Sequence, residues 1–116
     1  MKTIAIIPAH NEEKRISKVI RKTKKYVKNV VVVDDGSKDQ TVNCAEQENV
    51  VVLKHIINLG KGAALKTGCE YAVMNGFDHI VVLDSDGQHD PAEIPLFLDA
   101  LKKTDVVFGS RSFNKN

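Results

Sequence analysis

A short run of apolar, mostly β-branched residues, Ile80 to Leu83, leads directly into two carboxylates, Asp84 and Asp86. Such a run predicts a strand buried on both faces, as in parallel sheets that helices cover. Asp90 and Pro91 follow, an N-cap residue and a residue suited to the first helical position. A strand, an acidic turn and a helix in this order favour an open α/β sheet, in which ligands bind at the carboxyl ends of the strands.

The same alternation of apolar runs and helical periodicity continues along the chain and predicts βαβ units. Further strands are predicted at Thr3 to Ile7 (stopped by Pro8), Val30 to Val33, Val50 to Lys54 and Asp105 to Phe108. Together they predict a Rossmann-like, doubly wound α/β fold: a mainly parallel sheet of about five strands with helices on both faces. One domain over residues 1–116 is expected at this length.

Helix signals separate these strands. Asn11 is predicted to cap the first helix, and Ser37 with Gln40 forms a capping-box pattern for a second helix over about residues 38–47. A third helix, rich in small residues, is predicted to pack closely on the sheet and to end at Gly76. A fourth helix is predicted after Pro91, with Ile94, Phe97, Leu98 and Leu101 on one face.

Composition excludes several classes of protein. The net charge of +2 is too small to indicate a nucleic-acid partner. Cys44 and Cys69 lack metal-ligand spacing and fall in predicted helices, which favours buried free thiols in a reducing compartment. Neither a run of roughly 20 apolar residues nor a basic leader with a cleavage site is present in these 116 residues. We therefore expect a cytoplasmic protein, and association with the cytosolic face of a membrane stays open.

Polar residues converge at one edge of the predicted sheet. The ends of strands one, two and four would bring together residues 8–12, 34–37 and 84–88, with the loop 58–62 beside them. Oxygen ligands spaced as in the acidic turn can share one divalent cation, which can hold a diphosphate. Gly60-Lys61-Gly62 before a helix offers an anion cradle. Taken alone, each signal has an ordinary structural alternative. The acidic turn could be a common Asp-rich turn between a strand and a helix, and Lys61 could be a solvated surface lysine.

Five motifs in order resemble family 2 glycosyltransferases of the GT-A fold, in particular the branch of dolichyl- or polyprenyl-phosphate sugar synthases. They are Ile7-Pro8-Ala9-His10-Asn11-Glu12; Asp34-Asp35-Gly36-Ser37 with Asp39 and Thr41; Asn58-x-Gly60-Lys61-Gly62-x-Ala64; Asp84-Ser85-Asp86-Gly87-Gln88-His89-x-Pro91-x-Glu93; and Gly109-Ser110-Arg111. The resemblance spans nearly the whole chain, and together the five motifs are highly specific.

The resemblance implies a role for each matched residue. Pro8, Ala9, Glu12, Lys61 and Asp84 would bind the nucleotide, and Asp35 would hydrogen-bond its base. Asp84, Asp86 and Gln88 would hold Mg²⁺ or Mn²⁺, so that Asp86 takes part in catalysis, and Arg111 would lie near the phosphates as a second catalytic residue. The implied reaction is inverting transfer of a hexose, from a GDP-mannose or UDP-glucose type of donor, to an acceptor such as a polyprenyl phosphate.

The family pattern implies further catalytic domain beyond Arg111, which supplies the acceptor side. We therefore expect a nucleotide-binding half, from a truncated, split or naturally minimal protein, that self-associates through an incomplete sheet edge. A non-catalytic nucleotide-sugar-binding module or inactive fragment is the main alternative. A nucleotidyltransferase is disfavoured, because its glycine- and arginine-rich phosphate loop is absent after strand one. A dinucleotide cofactor is disfavoured as well, since no Gly-x-Gly-x-x-Gly follows that strand.

Overall fold

The computed structural model describes residues 2–84 and 105–110, with side chains described as far as Leu83. The strands are β1 (Thr3–Ala9), β2 (Asn29–Asp35), β3 (Val51–His55), β4 (His79–Asp84) and β5 (Asp105–Ser110), and the helices are α1 (Ile16–Lys24), α2 (Thr41–Glu46) and α3 (Lys61–Met74). The predicted helix after Pro91 lies outside the described residues.

All strand pairs described are parallel, and the order of the five strands is β3-β2-β1-β4-β5. This confirms the doubly wound α/β prediction. The chain winds outward from β1 to β3, then returns to the other side of β1 for β4 and β5. The winding direction therefore reverses between β1 and β4, and open α/β sheets bind ligands at such a switch point.

The core has two layers, because successive side chains of a strand point to opposite faces of the sheet. On one face Ile4, Ile6, Val31 and Val33 pack against α3. On the other face a second cluster packs against α1 and α2; its strand members include Ala5, Ile7, Val30 and Val32. All four consecutive valines of β2 are buried, which confirms that this run is covered on both faces.

Helix α3 lies close to the sheet because small residues face it. Ala64, Gly68 and Ala72 are buried, and a Cβ atom added at Gly68 would lie 2.6 Å from Cγ2 of Ile6. The helix is followed by Gly76 at a positive φ of 76°, the left-handed conformation typical of a glycine after a helix. The prediction of a small-residue helix packed on the sheet is confirmed.

Two predicted helix starts are wrong. Helix α1 begins at Ile16, and Asn11 adopts a φ of 51° in the preceding loop instead of capping the helix. Helix α2 begins at Thr41, and the Ser37 hydroxyl donates to Asp34 instead of forming a capping box. In both cases the side chain takes part in the loops that follow β1 and β2.

Candidate functional site

The carboxyl ends of β1, β2 and β4 meet at one edge of the sheet. Ala9 is in register with Asp34, which places the end of β1 beside the end of β2. Strand β4 pairs with β1 on its other side and ends at Asp84. Three of the five motif segments therefore begin at the same edge, on the two sides of the switch point between β1 and β4.

The loops after β1 and β2 hold each other through hydrogen bonds. The backbone N–H of Asn11 donates to the Ser37 hydroxyl (2.8 Å), and the Asn11 side-chain oxygen accepts from the N–H of Lys38 (2.9 Å). The N–H of Glu12 donates to the Thr41 hydroxyl oxygen (2.7 Å). These contacts join segments about 26 to 29 residues apart in sequence, so that the backbone of Glu12 is fixed relative to β2.

Asp39 strengthens the same junction. Its carboxylate accepts from the hydroxyl and N–H of Thr41 and from the N–H of Glu13. Desolvation raises the pKa of Asp39, but these hydrogen bonds outweigh it and leave the pKa below its ordinary value. The predicted nucleotide-binding residue Glu12 lines a surface cavity of about 410 Å³ here, together with Asn11, Glu13, Lys14, Arg15 and Asp39.

Pro8 and Ala9 are the last two residues of β1; Ala9 is buried and Pro8 is half-buried. Pro8 is paired with Val33 of β2. The registered pairs between β1 and β4 run from Thr3 to Ile6. Strand β1 continues through Pro8 to Ala9, because both residues stay in register with β2, and the prediction that Pro8 stops the strand is wrong.

The carboxylate of Asp35, the predicted base-binding residue, accepts three hydrogen bonds. Its Oδ1 accepts from Nδ1 of His55 (2.7 Å) and from the N–H of Leu59 (2.9 Å), and its Oδ2 accepts from the N–H of Gly60 (2.8 Å). Burial raises the pKa of Asp35, whereas the three hydrogen bonds lower it further than burial raises it, so the pKa lies below its ordinary value. Asp35 is therefore a buried carboxylate held in its charged form.

The N-terminal end of α3 differs from the predicted anion cradle in one respect. The amide groups of Leu59 and Gly60 donate to the carboxylate of Asp35, so the anion that they bind is a side chain of the protein itself. Lys61, the first residue of α3, is exposed. Its assignment to the nucleotide stays a prediction.

His10 and Asn58 join the backbone of Asp35 to two further loops. Nδ1 of His10 lies 2.9 Å from the carbonyl oxygen of Asp35, which can only accept, so Nδ1 carries the proton. The side-chain amide of Asn58 donates to the same oxygen at 3.2 Å. The loops after β1, β2 and β3 are thus connected at one carbonyl group.

His55 is the residue at this site that the sequence did not reveal. It is the last residue of β3 and is in register with Asp35 of β2. Its ring lies between Oδ1 of Asp35 (2.7 Å) and the hydroxyl oxygen of Thr67 in α3 (2.8 Å). The usable signal was positional, because adjacent parallel strands end together and a histidine at the end of β3 must neighbour the carboxylate at the end of β2.

The predicted metal site lies mostly outside the part of the chain that the structure describes. Asp84 ends β4, whereas Asp86, Gln88 and the predicted phosphate-binding Arg111 are not described. Within residues 2–84 and 105–110, no group of three or more His, Cys, Asp or Glu side chains is arranged to hold a metal ion. The assignment of Asp84, Asp86 and Gln88 to a cation stays a prediction.

The fold and this edge define an α/β protein of the GT-A class. A sequence model of the family described as glycosyl transferase family 2 matches residues 4–116, and the chain belongs to that family.

Two relatives show how much of the chain is similar to longer proteins. An uncharacterized protein of Methanocaldococcus jannaschii is 41% identical over 96% of this chain and 47% of its own length. The undecaprenyl-phosphate mannosyltransferase of Micrococcus luteus is 34% identical over 96% of this chain and 49% of its own length. The chain thus spans about half the length of the curated relatives that it matches.

Glucosyl-3-phosphoglycerate synthase from Mycobacterium tuberculosis has a similar structure. Its crystal structure with Mn²⁺, UDP and glucosyl-3-phosphoglycerate matches 89% of this chain and 40% of that one, with a TM-score of 0.59 and 23% identity. Its complex with Mn²⁺, UDP-glucose and glycerol 3-phosphate matches 60% of this chain and 29% of that one, with a TM-score of 0.52 and 27% identity.

No helix among the described residues has both the length and the apolar character needed to cross a membrane.

Proposed function

We propose that this chain is the nucleotide-sugar-binding domain of a glycosyltransferase that uses a nucleotide-diphospho-sugar donor and a lipid-phosphate acceptor. The observation that carries the proposal is the convergence of motif segments at the switch point between β1 and β4, in a chain that belongs to glycosyltransferase family 2. The relative named as an undecaprenyl-phosphate mannosyltransferase supports the acceptor class. A hexose donor of the GDP-mannose or UDP-glucose type fits the same relatives.

Asp35 is proposed to bind the base of the nucleotide. An ionised carboxylate has about four acceptor positions, and His55, Leu59 and Gly60 occupy three of them. A base N–H can take the remaining position. Because the three protein donors hold the carboxylate in its charged form, it is prepared to accept this bond without a change of protonation. Pro8, Ala9 and Glu12 at the end of β1 are proposed to line the pocket beside it.

A divalent cation is proposed to bind at Asp84, Asp86 and Gln88. Carboxylate and amide oxygens are the ligands that Mg²⁺ and Mn²⁺ prefer, and β4 places Asp84 at the same edge as Asp35. The complexes of glucosyl-3-phosphoglycerate synthase contain Mn²⁺. When bound, such a cation neutralises charge on the departing nucleoside diphosphate. Lys61 and Arg111 are proposed to add positive charge near the phosphates.

The acceptor side is proposed to depend on more than these 116 residues. Transfer requires the acceptor oxygen to be held in near-attack geometry, which supplies several kcal/mol of barrier reduction. For the 116-residue polypeptide we propose donor binding, slow donor hydrolysis at most, and self-association through an open sheet edge. A lipid-phosphate oxygen is already anionic and attacks the anomeric carbon with inversion, at the cytosolic face of a membrane.

Calorimetric titration with UDP and with GDP, with and without Mn²⁺, tests the proposal. We expect binding of one nucleoside diphosphate to strengthen with Mn²⁺, and Asp86→Ala to abolish that strengthening. Asp78→Ala is the matched control, because Asp78 is an exposed carboxylate immediately before β4, at the opposite edge of the sheet. Equal affinity of the parent protein with and without Mn²⁺ would remove the cation from the proposal, and no binding of either nucleotide would end it.

A further inference from the structure

His55 connects three elements through two short contacts. Nδ1 of its ring lies 2.7 Å from Oδ1 of Asp35 at the end of β2, and Nε2 lies 2.8 Å from the hydroxyl oxygen of Thr67 in α3. The side chains of His55 and Asp35 are 11% and 6% exposed. The ring is therefore enclosed and has a polar partner at each nitrogen.

The proton positions follow from the partners. A carboxylate can only accept, so Nδ1 of His55 must donate to Asp35. In a neutral ring Nε2 is then an acceptor, and the Thr67 hydroxyl donates to it. The carboxylate of Asp35 thus selects the Nδ1–H tautomer of His55, and the Thr67 hydroxyl, which can donate or accept, is compatible with that tautomer.

Asp35 in turn holds the chain segment that leads into α3. Its carboxylate accepts from the N–H groups of Leu59 and Gly60, and Gly60 precedes the first residue of α3 at a φ of 103°. The backbone of Asn58 passes so close to Gly36 that an added Cβ would lie 2.5 Å from its nitrogen. A small rotation of the Asp35 carboxylate would therefore break contacts to this segment, which has little room to follow.

We propose that His55 is a positioning residue, which fixes the carboxylate of Asp35 so that this group holds segment 56–60 and presents its remaining acceptor position to the nucleotide base. The base-binding part of this inference rests on the proposed function. The part that concerns segment 56–60 does not. His55 acts through Asp35 and has no contact with substrate in this assignment.

Three variants test the proposal by hydrogen exchange, monitored at individual amides by NMR. His55→Ala removes the donor to Asp35. His55→Asn keeps a side-chain N–H close to the position of Nδ1 but leaves Thr67 without its partner. His79→Ala is the matched control, because His79 is a half-buried histidine at the opposite, amino-terminal end of β4.

We expect His55→Ala to accelerate exchange at the amides of Leu59 and Gly60 by about tenfold or more, the effect of losing one hydrogen bond to a charged group. His55→Asn should restore most of the protection. His79→Ala should not change the exchange rates of the Leu59 and Gly60 amides relative to those of the β2 amides. If exchange in His55→Ala rises equally at the β2 amides, the effect is a global loss of stability and the proposal is wrong. A failure of His55→Asn to restore protection would also overturn it.

Calorimetry then tests the part that involves the base. With Mn²⁺ present, His55→Ala should weaken binding of the nucleoside diphosphate by about tenfold and leave the affinity for inorganic pyrophosphate unchanged, with recovery in His55→Asn. Equal losses for both ligands would refute base positioning by His55. If the parent protein binds neither UDP nor GDP, the proposed function fails, while the exchange data still decide whether His55 holds segment 56–60.

Discussion

Replacing Gly36 with alanine tests how rigidly the loop after β3 is held against the end of β2. Gly36 has a φ of 73°, and an added Cβ would lie 2.5 Å from the backbone nitrogen of Asn58 and 2.5 Å from the carbonyl carbon of Ile57. Both atoms belong to the backbone, so neither can move away by a change of rotamer. Gly76 is a matched control, because its φ is 76° and the nearest atom to an added Cβ is the flexible end of Lys2 at 3.8 Å.

The two substitutions place a side chain at a similar positive φ and differ in the contact that the added Cβ makes with neighbouring atoms. A side chain at positive φ costs about 1–2 kcal/mol, and the lower entropy of the unfolded chain returns about 0.4–1 kcal/mol. Gly76→Ala should therefore lower the free energy of unfolding by about 0–1.6 kcal/mol. Gly36→Ala carries an additional overpacking cost of about 1–3 kcal/mol, and the added methyl group should push residues 57 and 58 away from β2.

Urea denaturation followed by circular dichroism measures both free energies, and hydrogen exchange at Leu59 and Gly60 reports the local effect. We expect Gly36→Ala to be the less stable variant by about 1–3 kcal/mol and to lose protection at these two amides. If the two variants agree within about 0.5 kcal/mol, the loop yields at little cost. That result would refute the inference that the segment beside Gly36 has little room to move.

Two further predictions concern titratable groups. Cys69 is buried, and burial raises the pKa of its thiol to about 11. A disulfide reagent at neutral pH should therefore label the half-buried Cys44 first and Cys69 only after unfolding. Equal labelling rates for the two cysteines in the native protein would contradict this prediction. The pKa of Asp35 is lowered from 3.8 in the folded state, so its stabilising contribution is complete above that pH and is lost as the pH falls below it. The difference in free energy of unfolding between the parent protein and Asp35→Asn should therefore narrow below about pH 4, and a constant difference measured by urea denaturation would argue against a preferentially charged Asp35.

The sheet could be predicted from the sequence because its signal is local. The run from Val30 to Val33 and the regular alternation with helical segments depend only on residues close in the chain, and these predictions are confirmed. The errors lie at strand and helix ends. Strand β2 continues to Asp35 because Asp34 pairs with both β1 and β3 and Asp35 pairs with β3, and such pairing cannot be read from neighbouring residues.

The start of α1 and the role of His55 were missed for the same physical reason. Asn11 is a residue type that often caps helices, yet its side-chain oxygen accepts from the backbone N–H of Lys38, which lies in another loop. His55 contacts Asp35 because the register of β3 with β2 places the two residues side by side. Local capping preferences describe what a side chain does when nothing else is near. At a site where three loops meet, hydrogen bonds to residues of other segments replace these local capping interactions.

The adjacent carboxylates Asp34 and Asp35 show how one short motif can serve two loops. Side chains alternate along a strand, so Asp34 shares a face with Val32 and the helices α1 and α2, whereas Asp35 shares a face with Val33 and α3. Asp34 accordingly accepts from the N–H and hydroxyl of Ser37, closing the turn after β2. Asp35 accepts from His55 and from the segment before α3. Since the two carboxylates stabilise loops on opposite faces of the sheet, the turn at Ser37 and the proposed base-binding position are separable by substitution at adjacent residues.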